Sequence, residues 1–222
     1  MLDWLYKEGF QVVLVVMAGS PIDLREDVKK AAAIVYASYP GEAGGTAIGE
    51  ILFGKTAPSG RLPFTIPLNP KKLPDFHDYS MANRTYRYMK DNILFPFGFG
   101  LGYTEFAYSG ARLTDSLAKK GRVTVSVNVA NVGDRAGDEV VQLYISHTKP
   151  GVEAPLVELK GFRRIHLEQG ESERVSIDVP AEAFQLVDAQ GRWFMPKDDV
   201  EIFFGHDSRT LASKILTLKL AK

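Results

Sequence analysis

The sequence predicts an α/β fold followed by an all-β fold. The first is a mostly parallel sheet covered by helices, the second an antiparallel β-sandwich, and they divide into residues 1–107 and 108–222. Two observations predict the first part. The apolar runs at residues 11–18 and 31–37 are continuous rather than alternating, as in strands buried on both faces. A polar stretch with helix-forming residues, 23–30, separates them, so strand and helix alternate. The third observation predicts the second part: Val123, Val125, Val127 and Val129 alternate with Thr124, Ser126, Asn128 and Ala130, one face apolar and one polar.

In chain order, Leu2, Leu5 and Tyr6 lie on one face of a helix ending near Gly9. The strand at 11–18 stops at Gly19-Ser20-Pro21. After the second strand comes a loop system with two glycine-marked turns, Pro40-Gly41 and Pro58-Ser59-Gly60. Between them a short helix is expected, with Thr46 as N-cap, Ile48, Ile51 and Leu52 on its apolar face, and Gly54 just past its end. Leu62, Phe64 and Ile66 then alternate as in a strand. Residues 69–74 form a connector, and the aromatic, basic segment 83–89 reads as a short strand or an exposed arm. In residues 95–103 glycines and aromatics interleave, giving an irregular backbone whose rings plug a hydrophobic gap. Beyond Tyr108, strands separated by turn signals at 131–138 and 169–171 suggest an immunoglobulin-like sandwich, with later strands at Trp193-Phe194 and 200–204.

A chain of 222 residues with 45% hydrophobic content can bury a real core. Its 27 basic and 27 acidic residues balance, so nothing points to nucleic acid or an anionic membrane surface. With no cysteine there is no disulfide framework and no thiolate metal site, and the compartment stays open. The apolar run at 12–18 falls well short of the roughly 20 residues that span a bilayer.

Few side chains suggest chemistry. Gly98, Gly100 and Gly102 have the wrong spacing for a dinucleotide loop and lack the flanking strand and helix. His77, His147, His166 and His206 are scattered, so no metal ligand set is expected. Ser59 reads as a turn residue, and Asn83-Arg84-Thr85 is a glycosylation sequon of a kind common by chance. Glu42 is the one candidate substrate-binding residue. It sits on a loop expected at a strand's C-terminal end, where α/β sheets place sites. Its alternative, a loop carboxylate bonded to local backbone donors, is the stronger reading. Asp75 and Asp78 belong either to a sugar-binding surface or to a solvated loop, and Tyr86, Arg87 and Tyr88 either stack on a ring or pack between domains.

Taken together, these stretches resemble glycoside hydrolase family 3. The similarity runs through Val12-Val-Leu-Val-Val-Met-Ala-Gly-Ser-Pro-Ile-Asp23, Tyr39-Pro-Gly-Glu-Ala-Gly-Gly45, Ile51-Leu-Phe-Gly54 and Pro58-Ser-Gly-Arg-Leu-Pro63. It continues through Arg84-Thr-Tyr-Arg-Tyr88 and Phe95-Pro-Phe-Gly-Phe-Gly-Leu-Gly-Tyr-Thr104. Gly137-Asp-Glu-Val-Val-Gln-Leu-Tyr144, Leu159-Lys-Gly-Phe-Arg-Arg164 and Gly170-Glu-Ser172 resemble the family's fibronectin type III-like domain. Gly102 replaces a usual serine, Ser38 a frequent tryptophan, and Pro196-Lys197 a usual Pro-Gly turn. The versions present look most like the β-xylosidase-type branch, with β-glucosidases as the alternative.

The resemblance implies a retaining, exo-acting hydrolase of terminal β-linked sugars that needs no cofactor. That chemistry uses two carboxyl groups about 5 Å apart. The family places its nucleophilic aspartate on an N-terminal barrel and its usual acid/base glutamate upstream of the strand at 12–17. No catalytic residue is therefore expected within these 222 residues. The expectation is the end of the α/β sandwich domain plus the fibronectin type III-like domain, partnered by the barrel or by a second chain.

Overall fold

A computed structural model describes residues 1–113, 121–210 and 216–220. Helix α1 (Leu2–Lys7) ends where Gly9 takes φ +78°, a left-handed value that glycine adopts without strain. Strands β1 (Val13–Val16) and β2 (Ala33–Tyr36) pair in parallel, Val13 opposite Ala33 and Val16 opposite Tyr36. Between them the expected helix is only a 3-10 turn at Asp27–Lys29. Asp23 competes with helix formation, because its carboxylate accepts from the Arg25 backbone at 3.2 Å and from the Arg25 side chain.

Burial of β1 on both faces is also corrected. Leu14 and Val16 point into a core shared with Leu24, Ile34 and Ile66, whereas Val13 is 46% and Met17 63% exposed on the opposite face. Helix α2 (Gly44–Leu52) starts two residues before Thr46, capped by Ala43 with no side-chain bond; Gly54 has φ +70° just past its end, as expected. The strand at 62–66 shortens to β3 (Ile66–Pro67), since Pro63 offers no N–H; Leu62 instead bonds Gly98 and Phe99 through its backbone. Neither a strand nor an arm forms at 83–89. Helix α3 (Thr85–Tyr88) is a single turn entered through left-handed Asn83 and Thr85, at φ 55° and 53°. Strand β4 (Ile93–Phe95) pairs antiparallel with β3.

The second half is a two-sheet sandwich. One sheet orders β5 (Phe106–Leu113), β6 (Arg122–Asn131) and β9 (Ser172–Pro180) as β5-β6-β9. The other contains β7 (Gly137–His147), β8 (Glu158–Leu167), β12 (Asp199–Gly205) and β13 (Leu216–Lys219), in the order β13-β12-β7-β8. Between β9 and β12 a small hairpin joins β10 (Leu186–Val187) to β11 (Trp193–Phe194). All four alternating valines of β6 are fully buried, facing Val141, Leu143, Ile202 and Phe204 across the sandwich.

A buried charge cluster clamps the two halves together. Glu139 on β7, its side chain 2% exposed, accepts from Arg61 Nη2 at 2.7 Å, and Arg61 is itself only 10% exposed. The other Glu139 oxygen accepts from the Tyr108 hydroxyl at 2.7 Å and lies 3.0 Å from His206 Nδ1. Burial, then the Glu139 charge, pushes the Tyr108 hydroxyl far above the usual phenol range, so it stays a donor. Next to the cluster, Gln142 Nε2 donates to the carbonyls of Gly98 and His206 while its oxygen accepts from Tyr144. Gly98 takes φ +83°, and a Cβ there would run into the Gln142 amide. The rings complete the joint: Tyr86 stacks on Phe97 at 4.2 Å and meets Tyr144 edge-on.

Two expectations follow. Arg61→Met strands a buried carboxylate and costs about 3–5 kcal/mol, much of which Arg61→Met/Glu139→Gln recovers. Urea unfolding checks this, and a single-variant loss below about 1 kcal/mol contradicts it. The second expectation concerns Asp138 and His166, cross-strand partners on β7 and β8 with Nδ1 and Oδ1 2.9 Å apart. The Asp138 bond raises the His166 pKa above 6.5. Burial pushes Asp138 up, but bonds from His166 and Arg164 outweigh it and leave its pKa below 3.8. A raised histidine stabilises fully below its unfolded pKa and loses that contribution as pH rises through the folded one. The urea midpoint should therefore fall less steeply above pH 6.5 in His166→Gln than in the parent. Identical profiles would contradict the assignment.

Candidate functional site

Because β1 and β2 are parallel, the loops that follow them emerge at the same sheet end, the position where open α/β sheets bind ligands. The two loops lean on each other. Tyr36 donates its hydroxyl to the Ser20 carbonyl at 2.5 Å, and the Tyr39 ring lies where any Cβ on Gly19 would sit. Left-handed Ser38 and Gly41, at φ 51° and 72°, turn the second loop back toward α2.

Glu42 is exposed on this second loop, with no hydrogen-bond or ion-pair partner among the described residues. The local backbone bonds expected of it are not made. Asp23, at the end of the first loop, is held in a fork by Arg25, with Oδ2 accepting from Nη2 at 2.6 Å. That side-chain bond, followed by the Arg25 backbone bond, lowers its pKa to about 2, so it has no proton to give near neutrality.

Asp75 and Asp78 cap local turns, accepting from the backbones of His77 and Ser80. They form a solvated loop rather than a shared site. Tyr86 and Arg87 serve the joint between the halves: the Tyr86 hydroxyl accepts from Leu159 N at 3.3 Å, and the Arg87 carbonyl from Leu156 N at 2.6 Å. Their other expected role, stacking on a bound ring, is filled for Tyr86 by Phe97.

Beside the first loop lies a groove of about 730 Å³, within the range of about 300–1,000 Å³ typical of small-molecule sites. Its walls come from residues 21–23, residues 63–67 and α3, with Phe97 at one side. Among the described residues, the one carboxylate on it is Asp23. A retaining glycosidase centre needs two, about 5–5.5 Å apart. The described residues thus offer binding surface rather than an acid/base pair.

Sequence reasoning missed this groove and the Arg61–Glu139 clamp. The groove joins segments with no common motif. The clamp had a readable signal: Glu139 occupies the inward parity of β7 with Val141, Leu143 and Ile145, and an acid on an apolar face calls for a buried partner.

Comparison with known proteins agrees with this architecture. Residues 1–103 match the glycosyl hydrolase family 3 C-terminal domain, and residues 139–208 a fibronectin type III-like domain. A xylan 1,4-beta-xylosidase of Xylanibacter ruminicola is 38% identical over 220 residues, which is 99% of this chain and 25% of that protein. A periplasmic beta-glucosidase of Salmonella typhimurium is 34% identical, over 94% of this chain and 29% of its own length. The crystal structure of a beta-glucosidase from Kluyveromyces marxianus superposes with a TM-score of 0.87 at 31% identity, covering 100% of this chain and 28% of that one. The chain spans about a quarter to a third of these relatives. It belongs to glycosyl hydrolase family 3, of which it carries the C-terminal α/β domain and the fibronectin type III-like sandwich behind it.

Proposed function

We propose that this chain is the C-terminal part of a retaining, exo-acting β-glycosidase, a β-xylosidase or β-glucosidase releasing terminal β-linked sugars from oligosaccharides. The observation that carries the reading is the match of 99% of this chain to 25% of the xylan 1,4-beta-xylosidase of X. ruminicola. On this reading residues 1–107 complete an α/β sandwich domain and residues 108–222 form the accessory β-sandwich. Turnover requires a barrel domain, in the same polypeptide or in a partner chain.

Catalytic silence of the chain alone is supported by the state of its carboxylates. Asp23 is locked by Arg25, Glu139 is buried under Arg61, and Glu42 sits on a loop with no partner among the described residues. Glu42 is then a residue of the pocket rim, able to accept from a sugar hydroxyl but without a second carboxylate to work against. A partner surface is favoured by the exposed apolar side chains Trp4, Phe10, Val13 and Met17, each more than two-fifths exposed. The second reading is a non-catalytic module whose β-sandwich half docks or binds carbohydrate, and the exposed rings of Phe162 and Trp193 on that half favour it.

The test is hydrolysis of 4-nitrophenyl β-xyloside and β-glucoside. The purified chain should release no nitrophenol above the blank, and adding a barrel-bearing N-terminal portion of a family 3 β-xylosidase should bring activity. In that restored enzyme Glu42→Gln should raise KM and leave kcat nearly unchanged, the pattern of lost uniform binding. Retaining turnover by the chain alone, abolished by mutating one of its own carboxylates, would falsify the proposal. Xylan or cellulose binding without restored activity would favour the module.

A further inference from the structure

The loop after β2 holds an aromatic ring in the open, and does so at a cost. Tyr39 is 80% exposed, whereas tyrosines in folded proteins are on average half-buried. Its place is nonetheless fixed. Ser38 before it takes φ 51°, a left-handed value that is unfavourable for a residue with a Cβ. The ring then rests on Gly19 in the loop after β1, where a Cβ would meet Cε2, Cζ and Oη. That contact uses one edge of the ring and leaves most of it to solvent. A ring placed only to hold the fold would be buried by its contacts. Backbone strain that presents an exposed side chain is instead the pattern of a site that positions something.

Three features describe what such a ring meets. It stands at the sheet end reached by the loops of two parallel strands, where open α/β sheets bind ligands. Glu42, three residues further along the same loop, is an exposed acceptor with no partner among the described residues. On the other loop, Gly19 leads within two residues to Pro21, which lines the groove. A fixed flat ring and a carboxylate acceptor on one loop match a pyranose. The ring face takes the sugar's axial C–H groups, and the carboxylate accepts from an equatorial hydroxyl. Tyrosine offers this area with little side-chain freedom to lose, and its hydroxyl end tolerates water. The pyranose forms of β-xylose and β-glucose suit it, because all their hydroxyls are equatorial and no axial oxygen blocks either face.

We propose that Tyr39 is a stacking platform for a sugar ring of the substrate and sets a preference for pyranosides with unblocked faces. For the nature of the ligand this rests on the glycosidase reading, whereas the binding itself uses residues of this chain alone.

Saturation-transfer NMR on the 222-residue chain tests it, with xylobiose and cellobiose as probes. Both should bind with millimolar affinity, and the C–H protons of one sugar face should move upfield in the ring current of the tyrosine. Tyr39→Leu keeps an apolar cover on Gly19 but has no aromatic face. It should melt like the parent, weaken binding about tenfold and abolish the upfield shift. Tyr39→Phe should restore both, which a purely structural role would not require. No transfer to either sugar at about 10 mM would overturn the proposal, and so would binding that Tyr39→Leu leaves intact. If Tyr39→Leu still binds xylobiose but loses association with a barrel-bearing N-terminal portion, the ring belongs to a protein contact instead. The glycosidase reading is judged by restored hydrolysis, which sugar binding to this chain does not need, so the two fail separately.

Discussion

A carboxylate buried where two unlike layers meet has to be neutralised, and Glu139 is neutralised by an arginine 78 residues away. That single requirement organises the joint. Arg61 can reach Glu139 only because the turn at Pro58-Ser59-Gly60 brings it beneath β7, and its Nη1 is steadied by the carbonyls of Ser59 and Gly60. Once the pair is seated, Gln142 reads the Gly98 backbone, Ser208 N donates to the Phe97 carbonyl, and Arg209 reaches the carbonyls of Met89 and Lys90. These are backbone contacts, so they fix the path of the loop rather than the identity of its side chains. The charge pair adds what they lack, a penalty for every other arrangement of the two halves.

The sandwich was legible in the sequence because its signal is local and repeated. Alternating valines on β6 mark an inner face whatever lies opposite, and Gly170 and Asn131 mark turns by their own chemistry. The parallel half was less legible, for a physical reason. The run at 12–18 satisfies a rule about burial on both faces, but burial is decided by what else is present, and here only one side is covered. Its short connections also fooled pattern reading, since the Asp23 carboxylate captures the Arg25 backbone N–H and ends a helix before it begins. The loop that carries Glu42 was legible from its place after a strand, and the groove was not legible. Thr65, Arg84 and Phe97 come together through turns that no periodicity announces.

The segment at 83–89 shows how one stretch can hold two duties. Its aromatic members point to the sandwich and close the joint, whereas Arg84 points the other way and is pinned by two carbonyls. Left-handed Asn83 and Thr85 on either side make that division possible, each at a cost of about 1–3 kcal/mol for a non-glycine residue in this region. A straight strand would have placed alternate side chains on opposite faces at fixed intervals, and could not have sent Arg84 to one side and Tyr86 to the other.

The contact between Gly19 and Tyr39 reaches furthest beyond the molecule itself. A ring resting on a missing Cβ makes the two loops at the sheet end one mechanical object. Lengthening or recolouring either loop alone would lift the ring or expose the space beneath it. Relatives that diverge in what they accept at this end would thus be expected to change both loops in the same evolutionary step, a correlated pair rather than two independent dials.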